Sequence, residues 1–333
     1  MNYTDIIVSR NELQILVNML DDLSLMYPFY PHFQLLTAVH SDGFRLKVLI
    51  GEYDFDKQVE KLGELGKEMP EYADLLECML SSGVIRYENE DDFRERVKRY
   101  RSLKKKVYFC PDTNILYHQF ISNFALEDDL LLVDTVKEEV EGALNYKYTP
   151  NQVSGLKKVV KYQNFLLDEW VNKRMKRSRK ARIALRECKR VRDKALEVEG
   201  VEESARDSAE NDRIIVKTVK RFEKERSCLP VLLTADMSMV DMCELEGMEY
   251  FLFEYPHVIS ADHCTDEQML ELVYNLAMVF GVVKLNSVVI FGEFKGKKRH
   301  EDLKLRFLDE QMLEDFERDL RICRKLMKLE IER

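Results

Sequence analysis

The chain has 333 residues and a formal net charge of −9, and it is long enough for two or three domains with a substantial core. No run of about 18 apolar residues is present to span a bilayer, and Met1-Asn2-Tyr3-Thr4-Asp5 lacks the basic start and apolar stretch of a signal peptide. A cytoplasmic location without a membrane partner is expected. Seven scattered cysteines without a C-x-x-C pair argue against a disulfide framework or zinc ribbon, and the lack of a G-x-x-x-x-G-K-S/T loop argues against an ATP-driven activity.

In chain order, residues 1–105 read as a mixed α/β unit. An amphipathic helix begins at Asn11, short strands lie at 33–36 and 44–50, and helices follow at 55–67 and 72–80. A charged connecting helix is expected from Asp91 to Lys106. From 106 to 256 the pattern changes. Apolar runs at 107–110, 130–133, 231–233 and 250–253 alternate with helical periodicity, as a parallel sheet requires. A charged, periodic insertion over 149–205 suggests a helical hairpin. Residues 257–333 read as an α+β extension, with a helix at 266–280, strands at 287–294 and 303–308 across the basic turn Lys295–His300, and a terminal helix from Glu310.

Two of the apolar runs close on an acid. Val107-Tyr108-Phe109-Cys110 leads to Asp112-Thr113-Asn114, and Val231-Leu232-Leu233-Thr234 leads to Asp236. The carboxyl ends of buried parallel strands are where open α/β sheets place ligand sites, although each acid alone reads equally well as the cap of the next helix. Two further acids join them. Thr135-Val136-Lys137-Glu138 has capping-box form, which gives Glu138 a structural task. Helical spacing from Val136, Val140, Ala143 and Leu144 then puts Glu139 at the edge of the apolar stripe, as the better ligand. In Asn211-Asp212, Asp212 falls one turn before Ile215 on the face of Val216, Val219 and Phe222, where a carboxylate needs a partner or a metal. The rivals Asp207 and Asp241 are explained as capping boxes with Ser204 and Ser238.

These motifs resemble a PIN domain over about residues 106–255: Asp112-Thr113-Asn114 after the first strand, Glu139 after the second, Asn211-Asp212 opening a later helix, and Thr234-Ala235-Asp236 after a late strand. The resemblance implies a three-layer α/β/α domain around a parallel sheet. It also implies Mg²⁺ or Mn²⁺ held by Asp112, Asp212 and Asp236 for cleavage of single-stranded RNA. Glu139 completes the catalytic set, and Thr113, Asn114, Asn211 and Thr234 support it. The insertion is longer than in the small toxins of the family, which favours RNA processing or decay.

The average charge hides a basic segment. Between Lys173 and Lys194 stand twelve Lys or Arg and two acids, a hint of polyanion contact. Lys173, Arg174, Lys176, Arg177, Arg179, Lys180, Arg182 and Arg186 are the candidate contacts to single-stranded or structured RNA, and the turn at 295–300 is a second candidate. The same charges would serve an acidic assembly partner or a second copy of the chain. The alternative functions are a non-catalytic RNA- or protein-binding module and a structure-specific DNA nuclease.

Overall fold

Apolar β-branched and aromatic runs set the strands, and the computed structural model describes residues 4–201 and 208–328, with the backbone alone at 208 and 209. The chain runs β1 (Asp5–Val8), α1 (Arg10–Asn18), β2 (Asp22–Met26), β3 (Gln34–Ser41), β4 (Gly43–Val48), α2 (Glu52–Val59), α3 (Tyr72–Ser81) and α4 (Glu90–Arg101). Next come β5 (Val107–Pro111), α5 (Thr113–Tyr117), α6 (Phe120–Phe124), β6 (Leu130–Val133), α7 (Asp134–Gly142), α8 (Pro150–Val159), α9 (Lys176–Val191) and β7 (Ala195–Val198). The remainder is α10 (Ser208–Arg226), β8 (Leu229–Thr234), α11 (Met237–Glu246), β9 (Glu249–Leu252), β10 (His263–Cys264), α12 (Asp266–Phe280), β11 (Val282–Leu285), β12 (Val288–Phe291), β13 (Leu303–Phe307) and α13 (Glu310–Lys328). Two units result. One takes in residues up to Cys78, Lys147–Arg179 and those from Ser260; the other takes in Met79–Tyr146 and Lys180–Ile259.

The second unit holds a five-stranded sheet in the order β7-β6-β5-β8-β9, parallel throughout. Every residue of β6 is buried, as expected of a strand covered on both faces. On one face, Cys110, Leu131, Val133 and Leu232 pack against Val136 and Val140 of α7, Val216 and Val219 of α10 and Met239 of α11. On the other, Phe93 of α4 meets Phe109, Phe120, Phe251 and Phe253, with ring centroids 4.9–5.8 Å apart. This is the three-layer α/β/α arrangement. The helix expected only as a connector, α4, is one of its layers. The insertion read as a helical hairpin supplies α8 and α9 and then β7, whose residues Ala195–Val198 pair in parallel with Leu130–Val133.

The other unit carries an eight-stranded antiparallel sheet, β1-β13-β12-β11-β2-β3-β4-β10. Strands from the first and last segments, read from sequence as separate units, therefore share one sheet, joined where Lys284 and Leu285 face Met26 and Leu25. Helix α12 is buried on all sides from Met269 to Phe280, which suits a helix apolar all round. Gly292 makes the close approach possible, because a Cβ there would stand 2.0 Å from the carbonyl oxygen of Ala277.

Candidate active site

Strand β5 has β6 and β7 on one side and β8 and β9 on the other, so the connection reverses direction between β5 and β8. At such a switch point the strand ends open a crevice, and Asp112 stands there. Its backbone amide donates to the Leu233 carbonyl at 2.9 Å. Its Oδ1 accepts the Ile115 amide at 2.9 Å, capping α5, and its Oδ2 accepts the Thr234 hydroxyl at 2.5 Å. The side chain is 3% exposed. Burial pushes its carboxyl up to about 7; the Thr234 and Ile115 hydrogen bonds pull the other way, and the charges of Asp212 and Asp236 add to the rise. Capping and site are thus one arrangement: one oxygen holds the helix and the other holds the neighbouring strand.

Thr234 links the two motifs. Its oxygen also accepts the Asp236 amide at 3.0 Å. Asp236 caps α11, accepting the Ser238 amide at 2.9 Å and the Ser238 hydroxyl at 2.6 Å. Half-buried Asp212, on α10, has its carboxyl pushed up to about 6, first by burial and then by the charges of Asp236 and Glu139. Glu139, on α7, accepts the Thr113 hydroxyl on Oε2 at 2.7 Å, whereas Glu138 is exposed. The four acids therefore share one electrostatic field. Asn114 and Asn211 are half-buried beside them in sequence.

Hard carboxylate oxygens whose charges oppose one another's ionisation suit a hard divalent cation. The donor chemistry fits, but among the described residues no three acidic, His or Cys side chains form a preassembled cage. A cation would have to draw the carboxylates together.

Two capping expectations need revision. Helix α7 starts at Asp134 with Val133 as its cap, so Thr135 is not the cap; Asp134 instead accepts the Gly200 amide at 2.7 Å. The cap of α11 is Asp236, not Ser238, and Asp241 is an exposed residue. The Ser204–Asp207 box lies outside the described residues. Sequence reasoning pairs Ser238 with Asp241 and overlooks its bond to Asp236, though the Asp-x-Ser spacing is a recognisable turn signal.

The basic segment divides. Arg179 is 0% exposed, its Nε donating to the Val279 carbonyl at 3.1 Å and its guanidinium lying 4.6 Å from the Trp170 ring centre. It cannot touch RNA in this fold, which corrects its assignment. Lys176 is also committed, bonded to the Met69 carbonyl at 2.8 Å and paired with Asp74 at 3.1 Å. Arg174 lies 3.7 Å from Glu293, and Arg186 donates to Gln119 at 3.1 Å. Arg177 is exposed, while Lys173, Lys180 and Arg182 are half-exposed. A buried stripe explains the division: Arg179, Ile183 and Glu187 recur at i, i+4, and all three are buried.

No described helix is long and apolar enough to cross a membrane. The chain is similar to a solved domain of a functionally unknown protein from Methanocaldococcus jannaschii DSM 2661, at 18% identity, over 46% of this chain and 95% of that one, with a TM-score of 0.31. No curated protein matches. Residues 109–251 match the family model of the PIN domain, a family whose members are generally metal-dependent nucleases, and this segment of the chain is a PIN domain.

Proposed function

We propose that the PIN domain is a Mg²⁺- or Mn²⁺-dependent endoribonuclease that cleaves single-stranded RNA, in cytoplasmic processing or decay. The observation that carries this reading is Asp112: a carboxylate 3% exposed at the sheet's switch point, opposed by Asp212 and Asp236, with no ion-pair partner among the described residues. In this reading Asp112, Asp212 and Asp236 hold the cation. When bound, it neutralises charge on the phosphate and lowers the proton affinity of water. Glu139 does the proton work: the Thr113 hydroxyl occupies its Oε2, leaving Oε1 to accept a proton from the attacking water. Thr234 fixes Asp112 and the turn to Asp236, while Asn114 and Asn211 contact phosphate. Lys173, Arg177, Lys180, Arg182 and Arg186 guide the backbone by neutralising phosphates.

The test is cleavage by the full chain of single-stranded RNA, structured RNA and flapped DNA, with Mg²⁺, Mn²⁺ or EDTA. We expect cation-dependent cut products from single-stranded RNA, lost in Asp112→Asn and in Asp236→Asn. Undiminished cleavage in both variants would remove these acids from the site, and preference for flapped DNA would overturn the substrate class. A cation-dependent rise in melting temperature without cleavage of any substrate would identify a binding module.

A further inference from the structure

In the antiparallel unit the start of the basic segment, Lys173 and Arg174, joins the basic turn at 295–300 to line a cavity. At Asn172 the backbone turns through a left-handed conformation, φ 59°, and Lys147 pairs with Arg174 in an isolated antiparallel bridge. Lys147, Lys173 and Arg174 form one wall. Lys297, Lys298 and Arg299, from the turn after β12, form the other, and the space between measures about 180 Å³. His300 also lines it.

The acid among these lining residues is Glu293, 2% exposed. Glu293 accepts the Arg174 amide at 3.4 Å and lies 3.7 Å from the Arg174 guanidinium and 3.9 Å from the Lys297 ammonium. Lys297 is further tied to the Gly292 carbonyl at 2.5 Å. One buried carboxylate therefore fixes two cations in place and leaves the cavity with a large positive excess. The Arg174 Nε has no hydrogen-bond acceptor among the described residues, and Arg299, 81% exposed, faces Asp302 at 3.3 Å on its outer side. Fixed cations held together against their mutual repulsion favour an anion with several acceptor oxygens, as phosphate is. The volume is below the roughly 300–1,000 Å³ of sites that enclose whole small molecules. It suits a phosphate group and not a complete nucleotide.

We infer that this cavity, in the antiparallel unit, binds a backbone or terminal phosphate of an RNA strand and gives the chain a further point of substrate attachment. The choice of RNA rests on the nuclease reading above; the phosphate chemistry does not. The test uses the full chain in EDTA, where no cation-dependent cleavage proceeds, and measures the affinity of a fluorescent single-stranded RNA across salt concentrations. Lys147→Glu/Lys298→Glu reverses two exposed charges whose side chains hold no partner among the described residues, and Lys298→Met is the milder companion. We expect the double variant to bind at least about tenfold more weakly, and its salt slope to fall by about one for each phosphate it no longer neutralises, with melting temperature unchanged. Inorganic phosphate alone should raise the melting temperature of the unsubstituted chain and not that of the double variant. Unchanged RNA affinity and slope in both variants would overturn the inference. A phosphate-dependent melting shift with unchanged RNA affinity would overturn the assignment to a strand and leave a small-anion site. Cleavage assayed separately at saturating RNA keeps the two readings apart: no cleavage by the unsubstituted chain sinks the nuclease reading while the affinity result still decides the cavity.

Discussion

Both units bury carboxylates almost completely, yet they treat them in opposite ways. In the antiparallel unit Asp74, 2% exposed, has the Lys176 ammonium at 3.1 Å, and Lys304, 6% exposed, has Glu169 at 2.6 Å. Each of these buried charges has its counter-charge within the chain, as buried ions require. In the PIN domain Asp112 is as deeply buried, but its neighbours are a hydroxyl, an amide and two more acids. The first pattern is complete in itself. The second is short of positive charge, and that deficit is the basis of the proposed cation site.

The strongest way to break the comparison is to neutralise one acid of each kind. Asp112→Asn should abolish cation-dependent RNA cleavage, by about 10³-fold or more, while raising the melting temperature of the cation-free protein at neutral pH. Asp74→Asn should take from Lys176 the more buried of its two acidic partners, Asp74 and Glu71, and cost about 3 kcal/mol in chemical denaturation, with cleavage per folded molecule unchanged. Stability changes of the same sign in both variants would collapse the distinction. Next in size, Arg179→Glu should cost at least about 3 kcal/mol because it places an unpaired charge among rings and carbonyls, whereas Arg177→Glu should leave unfolding unchanged and only weaken RNA binding. Glu139→Gln should lower turnover by about 10²-fold or more at unchanged melting temperature.

The pH dependence of cation-free unfolding sharpens the same contrast. Burial raises Asp112 to about 7, so the folded state binds the extra proton between its ordinary value and pH 7, and stability is lost as pH rises through that window. Burial first, and then the charge of Lys180, lowers His118 to about 3, so its contribution is lost as pH falls below about 6.5. Each is worth on the order of 4 kcal/mol at its limit, and the two oppose each other. Asp212, raised to about 6 by burial and then by the charges of Asp236 and Glu139, acts in the same direction as Asp112, so the unsubstituted chain should lose stability as pH rises from about 4 to 6. Asp112→Asn should show a shallow profile across that window, Asp212 and His118 offsetting each other; an unchanged fall in that variant would remove Asp112 from this account. The smallest effect is expected for Glu138→Gln, within about 0.5 kcal/mol in unfolding and without loss of cleavage, because Glu138 is exposed and Thr135 is not the N-cap it would have paired with.

Much of the PIN domain is legible in the sequence because its central strands are short, wholly apolar runs closed by an acid. β7 is not: Ala195-Leu196-Glu197-Val198 is an edge strand with two exposed residues inside a charged stretch, and its local pattern carries little of the signal that burial on both faces gives β6. Helical spacing finds Glu139 and Asp212, and it survives an error in the helix start because burial of Val136 and Val140 fixes the face whichever residue caps it. Arg179 misleads since a dense run of Lys and Arg imitates a solvated helix. Tracing i, i+4 back from Ile183 puts it on the apolar face. The antiparallel sheet is legible only in pieces. Alternation reports that a segment is a strand, but not which distant segment completes it, and β11, although apolar, is obscured between a buried helix and a better-marked hairpin.

That long-range completion has a consequence in time. The amide of Ser24 on β2 bonds to the side chain of Asn286, 262 residues later. With synthesis at roughly 5–20 residues per second, β2 to β4 emerge tens of seconds before β11 exists to pair with them. Through that interval the β2 edge is an open template for any passing strand, and a ribosome stalled anywhere in the PIN domain leaves it so. The chain should depend most on chaperones early in its synthesis, long before the carboxylates of its PIN domain have been assembled.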